Sequence, residues 1–155
     1  MATLSERLLR RALHAYFRVS RGLTLGVRAA VFDREGRVFL VRHTYVRGWY
    51  LPGGGVEAGE DALTALAREL AEEGNIELTA PPVLHGVYWN RTASPRDHVL
   101  LYVARAFRQG APRGPDREIA ETGFFAPDDL PAATTPATRA RLDEILRGAP
   151  VSPLW

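Results

Sequence analysis

A chain of 155 residues, 46% hydrophobic and 25% charged, has the makings of one soluble domain with its own core. It has no cysteine, which excludes disulfides, thiolate metal sites and cysteine nucleophiles; all 20 basic residues are arginine, which excludes a P-loop lysine or a Schiff base. No apolar run is long enough to span a bilayer and no uninterrupted apolar stretch marks a secretory signal, so a cytoplasmic location without a membrane partner is the default expectation.

Residues 3–20 read as an amphipathic helix. Leu4, Leu8, Ala12 and Tyr16 follow helical spacing, Leu9, Leu13 and Phe17 widen the stripe, Arg7, Arg10, Arg11 and Arg18 lie mostly off it, and Ser5 is a candidate cap. Such a helix docks on its own domain, lies on a membrane surface or serves as the arm of a homodimer. Base rates favour the first, so residues 1–22 are expected to pack on the domain or on a partner.

Leu23–Asp33 and Arg37–His43 read as strands, and the turn chemistry of Asp33-Arg34-Glu35-Gly36 predicts a hairpin between them. The second strand is apolar on both faces, which predicts a central strand covered on both sides. Trp49-Tyr50-Leu51 is a short extended piece ended by Pro52, and the run Gly53-Gly54-Gly55 reads as a loop. Asp61 is the expected N-cap of a helix over Ala62–Glu73, with Leu63, Leu66 and Leu70 as its core stripe. Strands follow at Val83–Trp89 and Val99–Phe107, joined by the polar loop Asn90–Asp97, and then at Glu121–Phe125. Thr135 with Pro136 opens a last helix that runs to Arg147 and stops at Gly148. No linker or internal repeat divides residues 23–155, so they are expected to form one α/β domain.

Net charge is +2, but Glu57–Glu77 alone carries −6 and the remainder +8. Within that acidic segment Glu69, Glu72 and Glu73 share one helical turn, where like charges raise one another's pKa and cost stability unless a cation joins them. Carboxylates with a nearby backbone carbonyl are the donors hard cations prefer, and Arg68 stands where it can hold one carboxylate in place. The arginines elsewhere are scattered rather than concentrated in a track, so a nucleic-acid partner is not expected.

Gly54, Glu60, Arg68, Glu69, Leu70, Glu72, Glu73 and Ile76 stand at the offsets of the Nudix box, and the flanks Trp49–Gly53, Glu118–Glu121 and Asp129–Pro131 also resemble that family. The resemblance spans roughly residues 23–147 and departs at one position, where Asn75 stands in place of the box's second glycine. It implies an α/β/α sandwich around a mixed β-sheet, with the N-terminal helix as an addition. It also implies Mg²⁺-dependent hydrolysis of a nucleoside diphosphate linked to another moiety, with Mn²⁺ as a substitute ion. By similarity, Glu69, Glu72, Glu73 and the Gly53 carbonyl hold the metal, Arg68 orients a glutamate, Glu60 braces the loop, and Glu121 or Glu118 takes the proton. Arg28, Arg42, His43, Trp49 and Arg91 are the candidates for binding a small nucleotide substrate. A non-catalytic nucleotide sensor and a hydrolase of capped or triphosphorylated RNA ends are the competing readings. Markers of the ADP-ribose and dinucleoside-polyphosphate subgroups are absent, which leaves the substrate open.

Overall fold

The computed structural model describes residues 4–155, with side chains from Glu6 onward, so Thr3 and the proposed capping by Ser5 lie outside the described residues. In chain order the elements are α1 (Leu4–Ser20), β1 (Thr24–Val31), β2 (Val38–His43), β3 (Gly53–Gly55), α2 (Ala62–Gly74), β4 (Ile76–Leu78), β5 (Val83–Trp89), β6 (Asp97–Ala104), β7 (Phe107–Gln109), β8 (Ile119–Phe125) and α3 (Pro136–Arg147). A mixed four-stranded sheet has the order β3-β1-β6-β5, in which only β1 and β6 run parallel; β2 pairs with β8 and β4 with β7 as antiparallel ribbons.

The two-residue alternation of β1 accounts for the sandwich. Val27, Ala29 and Val31 face one core with Ala65, Leu66 and Leu70 of α2, whereas Ala30 and Phe32 face a second core with Leu142 of α3. β2 splits in the same way, Phe39 and Val41 toward α2 and Val38 and Leu40 toward α3, so this strand is covered on both faces as its sequence predicts. Fully buried Leu66 and Leu70 each contribute roughly 1.5–3 kcal/mol, and they seat α2 beside β1 and β3. Leu63, expected in that stripe, is instead exposed in the first turn.

The turn at residues 33–36 forms as predicted, with Asp33 accepting from the amides of Glu35 and Arg37. The flanking strands do not form a hairpin ladder: beyond a single Phe32–Val38 bridge, β1 enters the four-stranded sheet and β2 turns away to β8. The β5–β6 hairpin is present, but β6 ends at Ala104, and residues 107–109 pair with β4 as a separate strand. The glycine run is not a loop but the edge strand β3, antiparallel to β1.

Both predicted helix caps of the C-terminal half hold. Thr135 accepts from the Thr138 amide with Pro136 at the first helical position, and Gly148 ends α3 in the left-handed conformation. Asp61 caps α2 by accepting from the Leu63 and Thr64 amides. At the other end Asn75 takes the left-handed conformation (φ 51°, ψ 37°), and its side-chain amide donates to the Ala111 carbonyl at 2.7 Å. Asparagine thus performs the glycine's conformational role and adds a tether to the loop after β7. Asn75→Ala, which keeps the left-handed backbone but loses this tolerance and the tether, is expected to destabilise the protein by about 1–2 kcal/mol, and Asn75→Gly to stay close to wild type. Urea unfolding measures both; an alanine variant as stable as wild type would contradict this account of the helix exit.

Candidate active site

The site is built where α2 meets β3, and three consecutive glycines each receive one helix residue. The Gly53 amide donates to Glu73 Oε2 at 2.7 Å. The Glu69 carboxylate lies against the Cα of Gly54, where an added Cβ would stand 2.4 Å from Glu69 Oε1. The Arg68 guanidinium donates to the Gly55 carbonyl at 3.1 Å. Gly53 itself has φ 137°, and a Cβ there would fall 2.0 Å from the Val27 carbonyl oxygen, so β3 can pair with β1 at this point only as glycine.

Arg68 is the hub of the charge arrangement. It reaches Glu60 Oε1 at 2.8 Å, Glu69 Oε1 at 2.7 Å and Glu72 Oε2 at 3.5 Å. Glu60 also accepts from the Glu57 amide, so it braces the loop before α2, and its bond to Arg68 holds its pKa below the ordinary carboxylate value. Glu73 is the buried member of the acidic turn, 6% exposed, and burial pushes its pKa up to about 7 despite the bond from the Gly53 amide. Beside it His43 Nε2 stands 3.5 Å from Glu73 Oε1, and burial followed by the Arg28 charge holds the imidazole's pKa below its ordinary value.

The three glycines, Arg68, Glu69, Glu72, Glu73 and His43 line a cleft of about 380 Å³ together with Arg28, Tyr45, Arg113, Glu118 and Ile119. Arg28 projects from β1 and donates to the Leu51 carbonyl at 2.9 Å. The register between β2 and β8 slips by one residue at Arg42/His43, so that His43 pairs with Ile119 and Arg42 with Glu121. Glu118 and Ile119 thereby join the cleft lining, while Glu121 pairs with Arg42 at 2.9 Å away from it. Asp116 pins this loop by accepting from the amides of Glu118 and Ile119 and from Arg113, which holds its carboxyl far below the usual range.

Of the residues singled out in the sequence, Gly53, Arg68, Glu69, Glu72, Glu73, Arg28 and His43 come together in this cleft, and Arg42, Trp49, Arg91 and Glu121 do not line it. Trp49 is buried edge-on against Phe125 in the α3-side core, at 4.8 Å between ring centroids. Arg91 is exposed on the β5–β6 loop. Tyr45 and Arg113 were not expected; both come from segments that read only as loops, and nothing in their local pattern signals a cleft.

The carboxylates fit a hard divalent cation in donor type and in sharing one cleft wall, and the missing Cβ of Gly54 leaves the hollow that Glu69 occupies. Among the described residues, no three acidic or imidazole side chains stand close enough to hold an ion as they are oriented. Arg68 and the Gly53 amide occupy oxygens of all three glutamates. Glu72 is the most exposed of them.

A family profile described as NUDIX domain matches residues 22–146. The chain belongs to the Nudix hydrolase family. A MutT NUDIX hydrolase from Burkholderia pseudomallei is 33% identical in its crystal structure and superposes with a TM-score of 0.68, over 79% of this chain and 97% of that one. The putative 8-oxo-dGTP diphosphatase of Bacillus subtilis is 26% identical over 126 residues, 81% of this chain and 82% of that protein. The RNA pyrophosphohydrolase of Methylococcus capsulatus is 40% identical over 58 residues, which are 37% of this chain and 30% of that protein. The mixed sheet between helices agrees with the fold of the Burkholderia structure, with α1 as an addition before the span the family profile matches.

The raised pKa of Glu73 has a direct consequence for stability in metal-free buffer. A carboxyl that holds its proton more tightly when folded stabilises the fold fully below its ordinary value of 4.5 and loses that contribution as pH rises through about 7. His43, depressed, acts in the opposite direction over the neighbouring range, so the comparison is between variants. The stability of wild type relative to Glu73→Gln is expected to fall between pH 4.5 and about 7, by roughly 3 kcal/mol at most. Chemical unfolding of both proteins across that range checks it, and a difference independent of pH would contradict it.

Proposed function

We propose that the cleft hydrolyses the pyrophosphate bond of a small nucleotide, a nucleoside diphosphate linked to a further group, in a reaction that requires Mg²⁺ and accepts Mn²⁺. The observation that carries this reading is the meeting of Glu69, Glu72 and Glu73 with Arg28 and Arg113 on one cleft: oxygen donors for a hard cation beside guanidinium groups for a polyphosphate. When bound, the cation would neutralise phosphate charge and lower the pKa of the attacking water. The chain's own residues do the rest. Glu69, Glu72 and Glu73 with the Gly53 backbone hold the ion, and Arg68 releases and orients the Glu69 and Glu72 carboxylates. Arg28 and Arg113 bind the phosphate oxygens.

For the proton of the attacking water we assign Glu118 rather than Glu121, because Glu118 lines the cleft and Glu121 is engaged with Arg42 on its outer side. His43 supports Glu73 from behind as a positioning residue. A small nucleotide is favoured over an RNA end because the arginines from residue 21 onward are scattered along the sequence, and because a relative matched over 82% of its length is named for a nucleotide substrate, whereas RNA pyrophosphohydrolases match over 39% of theirs or less.

A panel of nucleoside diphosphates linked to different groups and of nucleoside triphosphates, assayed with Mg²⁺ and with Mn²⁺ and with both products identified, tests the proposal. Glu73→Gln is expected to lower kcat by at least about 10²-fold with the fold intact, Glu118→Gln by about 10²-fold, and Glu121→Gln by less than about threefold. Binding without Mg²⁺-dependent turnover on any member of the panel would leave a nucleotide sensor as the better reading. A larger loss in Glu121→Gln than in Glu118→Gln would overturn the assignment of the base.

A further inference from the structure

The helix α1 is the part of the molecule that the site does not use. Residues 6–20 are exposed throughout, including Leu8 (56%), Leu9 (62%), Leu13 (45%), Tyr16 (64%) and Val19 (77%). Among the described residues, nothing buries the apolar face. The helix joins the domain at its C-terminal end, where Arg96 donates to the Val19 and Gly22 carbonyls at 3.4 and 3.2 Å and the Arg21 guanidinium sits 4.5 Å over the Phe17 ring.

The division of its faces is sharp. At about 100° per residue, Arg7, Arg10, Arg11, Arg18 and His14 fall within one arc of roughly 100°. Leu8, Leu9, Ala12, Leu13, Ala15, Tyr16, Phe17 and Val19 spread over roughly 200° of the remainder. The one acid, Glu6, falls between Leu13 and Phe17 on this projection and lies in the first turn, where the helix dipole favours it. A helix that docks on a domain or on a single partner helix needs an apolar stripe of about 100°. This face is about twice that width, so pairing with a second copy would leave half of it in water. The polar face, moreover, carries arginine instead of the mixed signs of an ordinary solvated surface.

A lipid interface accounts for both features. It covers a wide apolar arc at once, and its anionic phosphates meet the arginines, whose apolar stems can lie along the interface. No described helix is long and apolar enough to cross a membrane, which is compatible with a helix lying in the surface plane. We propose that α1 is a surface anchor that binds this hydrolase to an anionic lipid bilayer, with the helix axis in the plane of the headgroups. The sequence alone favours docking on the domain and no membrane partner; the uncovered face reverses that preference.

Co-sedimentation of the full chain with vesicles of phosphatidylcholine alone, and of phosphatidylcholine with phosphatidylglycerol, tests the proposal, alongside light scattering of the protein without vesicles. The expected result is a monomer that partitions onto the anionic vesicles at least about tenfold better than onto the neutral ones, with binding weakened by added salt. Arg10→Glu/Arg11→Glu and Leu9→Ser/Leu13→Ser are each expected to reduce that binding about tenfold or more. Thermal unfolding and turnover of a soluble nucleotide should stay at wild-type values, since all four residues are exposed and distant in sequence from the cleft lining. Three results would overturn the proposal: no binding to anionic vesicles, equal binding to both vesicle types, or a stable dimer that Leu9→Ser/Leu13→Ser disperses.

Discussion

Everything at the candidate site depends on how closely the backbone of β3 approaches the last two turns of α2. The Glu73 carboxylate meets the Gly53 amide at 2.7 Å, Glu69 rests in the space a side chain at Gly54 would fill, and Arg68 closes the contact on the Gly55 carbonyl. A side chain at Gly53 or Gly54 would collide with Val27 or with Glu69, whereas at Gly55 a Cβ would meet open space. Gly53 and Gly54 are therefore a requirement of packing a charged helix face directly on a strand. The apolar face of the same helix supplies the force for that packing, through Leu66 and Leu70 buried against β1.

The consequence is a cluster of carboxylates in which Glu69 and Glu73 are poorly solvated while Glu72 stays exposed. Glu73 responds by holding a proton up to about pH 7, and Glu69 and Glu72 share the one guanidinium of Arg68. Each arrangement offsets part of the cost of bringing the acids together, and each can be released to a divalent cation. The slip between β2 and β8 adds Glu118 to the opposite wall, and Asp116 fixes the loop that carries it. Turn chemistry on one side and helix packing on the other thus converge on one cleft.

Much of this was legible in the sequence because it is local. The Asp61 and Thr135 caps and the shared turn of Glu69, Glu72 and Glu73 depend on neighbours a few residues apart, and all are found. What the sequence did not disclose depends on distant partners. The glycine run reads as a loop because glycine has low strand propensity, and only its pairing with β1 makes it a strand. Leu63 falls on the same helical face as Leu70 but in the first turn, where it stays exposed, and Trp49 carries aromatic chemistry that suits a core as well as a base. Glu118 and Glu121 look alike in sequence; the register slip at Arg42/His43 separates them. For α1 periodicity showed two faces but not whether either would be covered.

The central claim is that the β3–α2 contact positions the carboxylates proposed to hold the metal, and Gly54→Ala tests it most directly. The three atoms nearest the added methyl all belong to the flexible end of Glu69, so the fold should tolerate it while the carboxylate is displaced. Manganese binding measured by electron paramagnetic resonance is predicted to weaken by at least about tenfold in this variant, with its unfolding temperature within a few degrees of wild type. Unchanged manganese affinity in a folded Gly54→Ala protein would contradict the account.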